Sequence, residues 1–202
     1  MKWPGRELSA DGRRRSRRDD SGPTSWSVPT EGWFRDRAPN AEGRVRVVYT
    51  WHPADRDSLD RLMFRMDDVQ KKYGRDVVVI GAMPPVVDDS RRRRDEDPDP
   101  LRNLPVTTET IQTYVGNRTL SHYLLAASGG IDIPVESQRS SRREATPIGA
   151  VMIVSTDGIV RRAEHSSNWE ELQRALDTTL RVDPGVKARR AAEDEFIRAG
   201  GG

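Results

Sequence analysis

Three short apolar runs, rich in β-branched residues, lie in the middle of the chain at residues 45–49, 77–82 and 150–154. Runs of this length and composition are typical of strands that a sheet buries on both faces. Between the first two runs, apolar residues recur every three or four positions over residues 56–73, which predicts an amphipathic helix. The first strand, this helix and the second strand together predict a parallel βαβ unit with a right-handed crossover.

The third apolar run leads into a predicted hairpin and a closing helix. Asp157-Gly158 is a turn signal, and residues 159–164 form the expected return strand. Ser167 or Asn168 predicts the N-cap of the following helix, because either side chain can accept a hydrogen bond from the first turn. The parallel βαβ unit is thus followed by an antiparallel ββα unit.

The segment between these two units predicts two additional elements. Thr107 or Thr108 is placed to cap a helix that runs to about Val115. Residues 121–126 have the composition of a short strand. The same domain is therefore expected to hold one further helix and one further strand.

The ends of the chain and two internal segments are polar and charged. Of the 202 residues, 34% are hydrophobic and 33% are charged, as expected for one folded domain with solvated additions. We assign a flexible leader to residues 1–43, one domain to residues 44–182, and a charged last helix with its tail to residues 183–202. Within the domain, residues 86–104 form a charged insert and residues 129–145 a polar loop. The later part of the leader is expected to lie on the domain through Trp26, Trp33 and Phe34.

The charges are grouped in neighbouring blocks of opposite sign. Arginines between residues 13 and 18 precede Asp19 and Asp20, and the arginines at residues 91–94 precede a second acidic block. The acidic blocks would repel phosphate and no aromatic residue interleaves with the arginines, which argues against nucleic acid as a partner. Because the net charge is only +2, we interpret these blocks as solvated segments.

The composition also excludes several classes of function. The chain contains no cysteine, which excludes thiol nucleophiles, disulfides, iron–sulfur clusters and thiolate metal sites. No apolar stretch is long enough for a transmembrane helix, and the first residues lack the apolar region of a secretion signal. We therefore expect no membrane partner, a cytoplasmic location, and no cofactor or metal. No feature of the sequence specifies an oligomeric state.

The joint between the first strand and its helix carries a motif. Residues 51–56 read Trp-His-Pro-Ala-Asp-Arg. The strand, the joint and the helix resemble the active-site region of thioredoxin-like proteins, especially the TlpA/ResA-type redoxins, which carry Trp-Cys-Pro-Pro-Cys-Arg there. Trp51, Pro53 and Arg56 match that pattern. The residues that stand where the two cysteines would be are His52 and Asp55.

Two later segments extend this resemblance. Residues 145–147, Ala-Thr-Pro, precede the third apolar run as the cis-proline segment does in the family, and the Asp157-Gly158 hairpin is similar to the family's last hairpin. The resemblance covers about residues 44–182. It implies an α/β fold with a central mixed β-sheet flanked by helices, to which this chain adds the leader and a C-terminal helix. It also implies a cis peptide bond before Pro147.

The missing cysteines separate the fold from the chemistry of the family. His52 and Asp55 cannot form a reactive thiolate or a resolving disulfide, so thiol–disulfide exchange is excluded for this chain. The resemblance instead suggests a non-catalytic module or scaffold that binds a protein or an extended peptide segment on the former active-site surface. The expected binding residues are Trp51, Pro53, Arg56, Thr146 and Pro147.

Other interpretations of the motif stay open. His52 and Asp55 lie three residues apart at the start of a helix, so they could form an acid–base or metal site, joined by His122 or His165. The simpler interpretation is that two polar residues fill the turn. A further alternative is a domain that homology would class as a TlpA-like thiol–disulfide oxidoreductase although the cysteines are missing. Trp51 is alternatively a core residue above the sheet.

Overall fold

A computed structural model describes residues 24–85, 101, 103–134 and 148–200 of the chain. Its strands are β1 (Val45–Thr50), β2 (Val77–Met83), β3 (Tyr123–Ala126), β4 (Ala150–Val154) and β5 (Val160–His165). They form one five-stranded sheet in the order β3-β2-β1-β4-β5. β2 pairs in parallel with both β1 and β3, whereas β4 runs antiparallel to β1 and to β5.

The described helices follow the predicted order. They are α1 (Met63–Tyr73), α2 (Thr108–Val115), α3 (Trp169–Val182) and α4 (Pro184–Arg198). A π-helical turn, Asp57–Leu62, leads directly into α1, and 3-10 turns lie at Phe34–Asp36 and Ser166–Asn168. The predicted βαβ unit, hairpin and closing helix are confirmed, as is the predicted fold class. In the described part of the chain, no helix is both long and apolar enough to cross a membrane.

The two predicted helix caps have different outcomes. Thr107 caps α2, because its Oγ1 accepts a hydrogen bond from Thr110 N at 3.2 Å. The predicted cap of α3 is confirmed in position only: Asn168 is the N-cap residue, but its side chain accepts no hydrogen bond from the first turn. A 3-10 turn at Ser166–Asn168 precedes the helix. The side chain of His165 accepts the hydrogen bond from Ser167 N at 3.3 Å. Asn168 instead directs its side-chain amide to Glu164, outside the helix.

Alternation along β1 divides the core into two layers. Val45, Val47 and Tyr49 face α1 and α3, while Val48 faces the opposite side of the sheet. Every residue of β2 and of β4 is buried, which confirms the prediction of strands covered on both faces. The helices contribute Leu62, Met63, Met66, Val69, Ile111, Val115, Leu172, Leu176 and Leu180 to the first layer.

The segment at residues 24–44 lies mainly along the second layer, with Phe34 packed against the first, and we call it the strap. It pairs with the sheet at both edges, where Ser25 lies opposite Ile159 and Trp33 lies opposite Leu125. Trp33 is buried in the second layer, and Trp26 packs against it. The described part of the leader therefore lies on the domain.

The last helix is fixed to the domain by two carboxylates. Asp183 caps α4 by accepting hydrogen bonds from two backbone N–H groups of its first turn, and it also accepts one from Thr156 Oγ1 at 2.6 Å. Further along, Arg189 and Arg190 both bind the carboxylate of Asp76, which precedes β2. α4 is thus held against the domain although much of its surface is exposed and charged.

Parts of three predicted segments lie outside the described residues. They are residues 1–23 of the leader, most of the charged insert at residues 86–104, and the polar loop from residue 135 onward. The boundaries assigned to these segments therefore stay predictions.

Gly81 in β2 is required by the close packing of Tyr49. A methyl group at position 81 would lie 2.5 Å from Tyr49 Oη and 2.9 Å from Leu124 Cδ2. Tyr49 is fully buried and cannot move aside without disturbing its neighbours. We predict that Gly81→Ala lowers the free energy of unfolding by about 1–3 kcal/mol, measured by urea denaturation.

Gly129→Ala is the matched control for this substitution. Nothing lies within 4 Å of a methyl group at position 129, and the residue is exposed. The free energy of unfolding of this variant should stay equal or rise by up to about 1 kcal/mol. Equal stability of the Gly81 and Gly129 variants would contradict the packing described for Tyr49.

Candidate functional site

The turn that follows β1 carries the predicted motif, and a buried serine fixes its shape. Trp51 N donates a hydrogen bond to Ala82 O at 3.1 Å, which extends the pairing of β1 with β2 by one residue. Ser58 Oγ accepts a hydrogen bond from His52 N at 3.2 Å and donates one to Asp55 O at 2.9 Å. The serine therefore links the first part of the turn to its end.

The side chains at the two former cysteine positions each bind a backbone N–H group of the turn. His52 is fully buried, and its Nδ1 accepts a hydrogen bond from Ala54 N at 3.2 Å. Asp55 Oδ1 accepts one from Asp57 N at 3.1 Å. Local bonds of this kind stabilise a turn. They support the interpretation that two polar residues fill the space left by the cysteines.

The acid–base and metal alternatives gain no support from the described geometry. Within residues 24–85, 101, 103–134 and 148–200, no three His, Asp or Glu side chains are placed to hold a metal ion. His122 belongs to a separate buried cluster, and the side chain of His165 bonds to Ser167 before α3. The three histidines therefore do not form one site with Asp55.

The predicted binding residues have different positions in the structure. The side chain of Trp51 is fully buried in the layer that faces α1, and Pro53 is buried, whereas Arg56 is exposed. The burial of Trp51 favours the alternative that it is a core residue. Thr146 and Pro147 lie outside the described residues, so their role and the cis peptide bond stay predictions.

The segment that leads into β4 reaches the end of β1. Gly149 N donates a hydrogen bond to Thr50 O at 3.0 Å, and Ala150 N donates one to Thr50 Oγ1 at 3.0 Å. Thr50 directly precedes the motif. The chain immediately after Pro147 is therefore next to the turn at residues 51–56, which we call the former active-site turn because of its resemblance to that of the family.

A second polar cluster, which the sequence analysis did not predict, connects β1, α1 and the start of β3. Tyr49 Oη lies 2.7 Å from His122 Nε2, and His122 Nδ1 lies 3.3 Å from Asp67 Oδ1. Ser121 N donates a hydrogen bond to the same carboxylate oxygen at 2.5 Å, and Lys71 Nζ lies 2.7 Å from the other. We call Tyr49, His122 and Asp67 the Tyr–His–Asp cluster.

Burial and hydrogen bonds set the protonation of this cluster. Burial lowers the pKa of His122 from 6.5 to about 4, and Asp67 opposes this shift only in part. Burial alone would raise the pKa of Asp67, but hydrogen bonds from Lys71, Ser121 and His122 lower it overall. Burial, followed by the nearby Asp67 carboxylate, raises the pKa of Tyr49 well above its usual value.

These pKa directions assign the protons of the Tyr–His–Asp cluster. A neutral His122 donates a hydrogen bond from Nδ1–H to ionised Asp67 and accepts one at Nε2 from the Tyr49 hydroxyl. Each of the three residues is buried and hydrogen-bonded to another of them. Because Tyr49 lies in β1, Asp67 in α1 and His122 just before β3, these bonds connect the three elements. The sequence held one signal for the Tyr–His–Asp cluster. Asp67 follows Met63 by four residues and therefore lies on the side of α1 that faces the core, where a carboxylate needs polar partners.

The buried His122 predicts a loss of stability in mild acid. Between pH 6.5 and about pH 4 the unfolded chain binds a proton at His122 that the folded chain excludes. Stability therefore falls as pH falls, and it is fully present only above the unfolded pKa of 6.5. The pKa difference corresponds to a loss of about 3 kcal/mol across this range, measured by urea denaturation at a series of pH values.

Two histidine variants test this assignment. His122→Gln keeps one donor and one acceptor but does not titrate, so its unfolding free energy should change less with pH than that of the wild type. His165→Gln makes the same substitution at an exposed histidine outside the cluster and is the matched control. An unchanged pH dependence in His122→Gln would show that His122 is not held neutral by burial.

Comparison with solved structures identifies the fold. The chain is similar to a thiol-disulfide isomerase from Corynebacterium glutamicum, with a TM-score of 0.51 and 13% identity over 78% of this chain and 96% of that one. It is also similar to a candidate thioredoxin from Neisseria meningitidis, with a TM-score of 0.50 and 13% identity over 80% of this chain and 91% of that one. No protein-family model matches the chain, and no curated protein matches its sequence.

Similarity at this level of identity concerns the fold and not the activity. The parallel βαβ unit and the antiparallel ββα unit of this chain are those of the thioredoxin-like fold, and the motif lies at the end of β1. The resemblance of residues 51–56 to the family's active-site motif places His52 and Asp55 at its two cysteine positions, and the chain contains no cysteine. The chain therefore has the thioredoxin-like fold of thiol–disulfide proteins in a form without cysteine.

Proposed function

We propose that this chain is a redox-inactive, non-catalytic binding module that takes up an extended protein segment at the former active-site turn. The hydrogen bond from Gly149 N to Thr50 O, 3.0 Å long, carries this proposal. It holds the chain that follows Pro147 beside the turn that contains Arg56. An extended partner segment bound there would pair its backbone with the residues before β4, in the manner of strand addition.

The turn is suited to binding rather than to chemistry. It has no thiol, and the side chains of His52, Asp55 and Ser58 all bond to backbone groups within residues 52–58. A turn fixed in this way loses little conformational entropy when a partner binds, which favours affinity. Trp51 supports the turn from within the core, where a partner does not contact its indole ring.

Affinity capture with the full chain tests the proposal. The bait variants are Arg56→Glu, which reverses an exposed charge of the turn, and Thr146→Arg, which adds bulk to the expected binding segment. Proteins recovered with the wild type are identified by mass spectrometry, and their binding to the purified chain is then measured. Each variant should weaken this binding by about tenfold or more, as expected for the loss of a central contact.

Arg174→Glu is the matched control for the charge reversal. The side chain of Arg174 is 77% exposed on α3 and forms an ion pair with Glu170 on the same helix. This variant should bind each recovered partner as tightly as the wild type does. A partner that binds the Arg56 and Thr146 variants with wild-type affinity, or the absence of any partner, would contradict the proposal.

A further inference from the structure

A small cavity of about 60 Å³ lies between the strap, the end of α2 and the start of β3. Three arginines line it: Arg35 and Arg37 come from the strap, and Arg118 comes from the loop before β3. Apolar side chains, among them Phe34 and Leu120, form much of the remaining wall. None of the described residues that line this cavity is acidic.

The two strap arginines keep hydrogen-bond donors for a ligand. Arg35 donates one hydrogen bond, to Gly116 O at 2.9 Å, and the guanidinium of Arg37 stacks over the ring of Tyr123 at 5.4 Å. Among the residues that the structure describes, no carboxylate pairs with either guanidinium. A guanidinium has five N–H groups, so most donors of Arg35 and Arg37 remain open to a ligand.

Arg118 is fixed on the other side of the cavity. Its guanidinium donates to Leu59 O at 2.8 Å and to Asp60 Oδ1 at 2.7 Å, and it lies 5.5 Å from the ring centre of Phe64. Asp60 offsets part of this charge. The uncompensated positive charge of the cavity therefore comes mainly from the strap.

The strap reaches the cavity through a strained turn. Arg35 and Asp36 have φ values of 58° and 49°, in the left-handed region that side chains disfavour. Just before this turn the strap is held to β3, because Ala126 N donates to Gly32 O at 2.8 Å. Conformations of this kind persist only where their surroundings enforce them, and they are concentrated at ligand sites.

The size and charge of the cavity fit a tetrahedral oxyanion. A water molecule needs about 10–15 Å³ of such space, so 60 Å³ accommodates about four to six oxygen-sized groups. Planar guanidinium groups bind phosphate oxygens through paired hydrogen bonds, and two open guanidinium groups match the charge of a dianion. We propose that this cavity binds a phosphate group, with Arg35 and Arg37 as the main donors and Arg118 as a supporting donor.

This site is independent of the binding surface at the former active-site turn. The strap and the segment from α2 to β3 form it, and neither contains a residue of the motif. A failure of one proposal therefore leaves the other intact.

An NMR titration of the ¹⁵N-labelled full chain with inorganic phosphate tests the site, with chloride keeping the ionic strength constant. Saturable shifts are expected at the backbone amides and at the Nε–H groups of the arginines that line the cavity. Arg37→Gln should weaken phosphate binding about tenfold, because it removes charge-assisted hydrogen-bond donors. Arg35→Gln should have the same effect, and both side chains are exposed, so the fold is expected to persist.

Arg174→Gln is the matched control on α3, and it should bind phosphate as the wild type does. Shifts that rise without saturation would overturn the proposal, as would equal phosphate affinity in the wild type and in Arg37→Gln. If the spectrum of Arg37→Gln shows a loss of folding, Arg35→Gln replaces it, and a phosphate affinity of Arg35→Gln equal to that of the wild type would overturn the proposal.

Phenyl phosphate and acetate identify the class and source of the ligand. Tighter binding of phenyl phosphate than of inorganic phosphate would support a phosphate group carried by a larger molecule. Equal affinity for the two would support free phosphate as the ligand. Acetate that binds as tightly as phosphate would overturn the assignment of a phosphate site.

Discussion

The arrangement of the domain depends on the hydrogen bonds that the buried carboxylate of Asp67 accepts. It lies on α1 and accepts hydrogen bonds from Ser121 and His122 at the start of β3, while His122 in turn bonds to Tyr49 in the central strand. An ionised carboxylate is stable in such a position only when hydrogen bonds replace the lost water. Tyr49 packs directly on Gly81, so the same cluster also contacts β2.

Stability and the former chemistry reside in largely different parts of the molecule. Apart from the buried side chain of Trp51, the core layers, the Tyr–His–Asp cluster and the contacts of α4 lie outside the former active-site turn, so the fold has no need of sulfur there. Ser58, His52 and Asp55 close the turn with hydrogen bonds to its backbone. A thioredoxin-like chain can therefore lose its redox centre and keep a rigid surface at the same position, which is the basis of the proposed binding function.

Much of the fold was predictable because its signals are local. The apolar runs at 45–49, 77–82 and 150–154 and the Asp157-Gly158 turn specify strands and a hairpin through spacing alone. The Tyr–His–Asp cluster and the arginine-lined cavity were not predicted, because they join residues distant in sequence. The burial of Trp51 was left open for a related reason: a motif gives the identity of a side chain but not the packing around it.

We infer that the turn at residues 52–55 keeps the geometry of a redox site without its sulfur atoms. The hydrogen bond from Asp55 N to His52 O, 2.9 Å long, closes a turn that brings the two Cα atoms within about 7 Å. A disulfide requires about 4.4–6.8 Å between these atoms. The most direct test is mass spectrometry of a His52→Cys, Asp55→Cys double variant after mild oxidation, with both single variants as controls. We predict an intramolecular disulfide in the double variant; two thiols that stay reduced would contradict the claim.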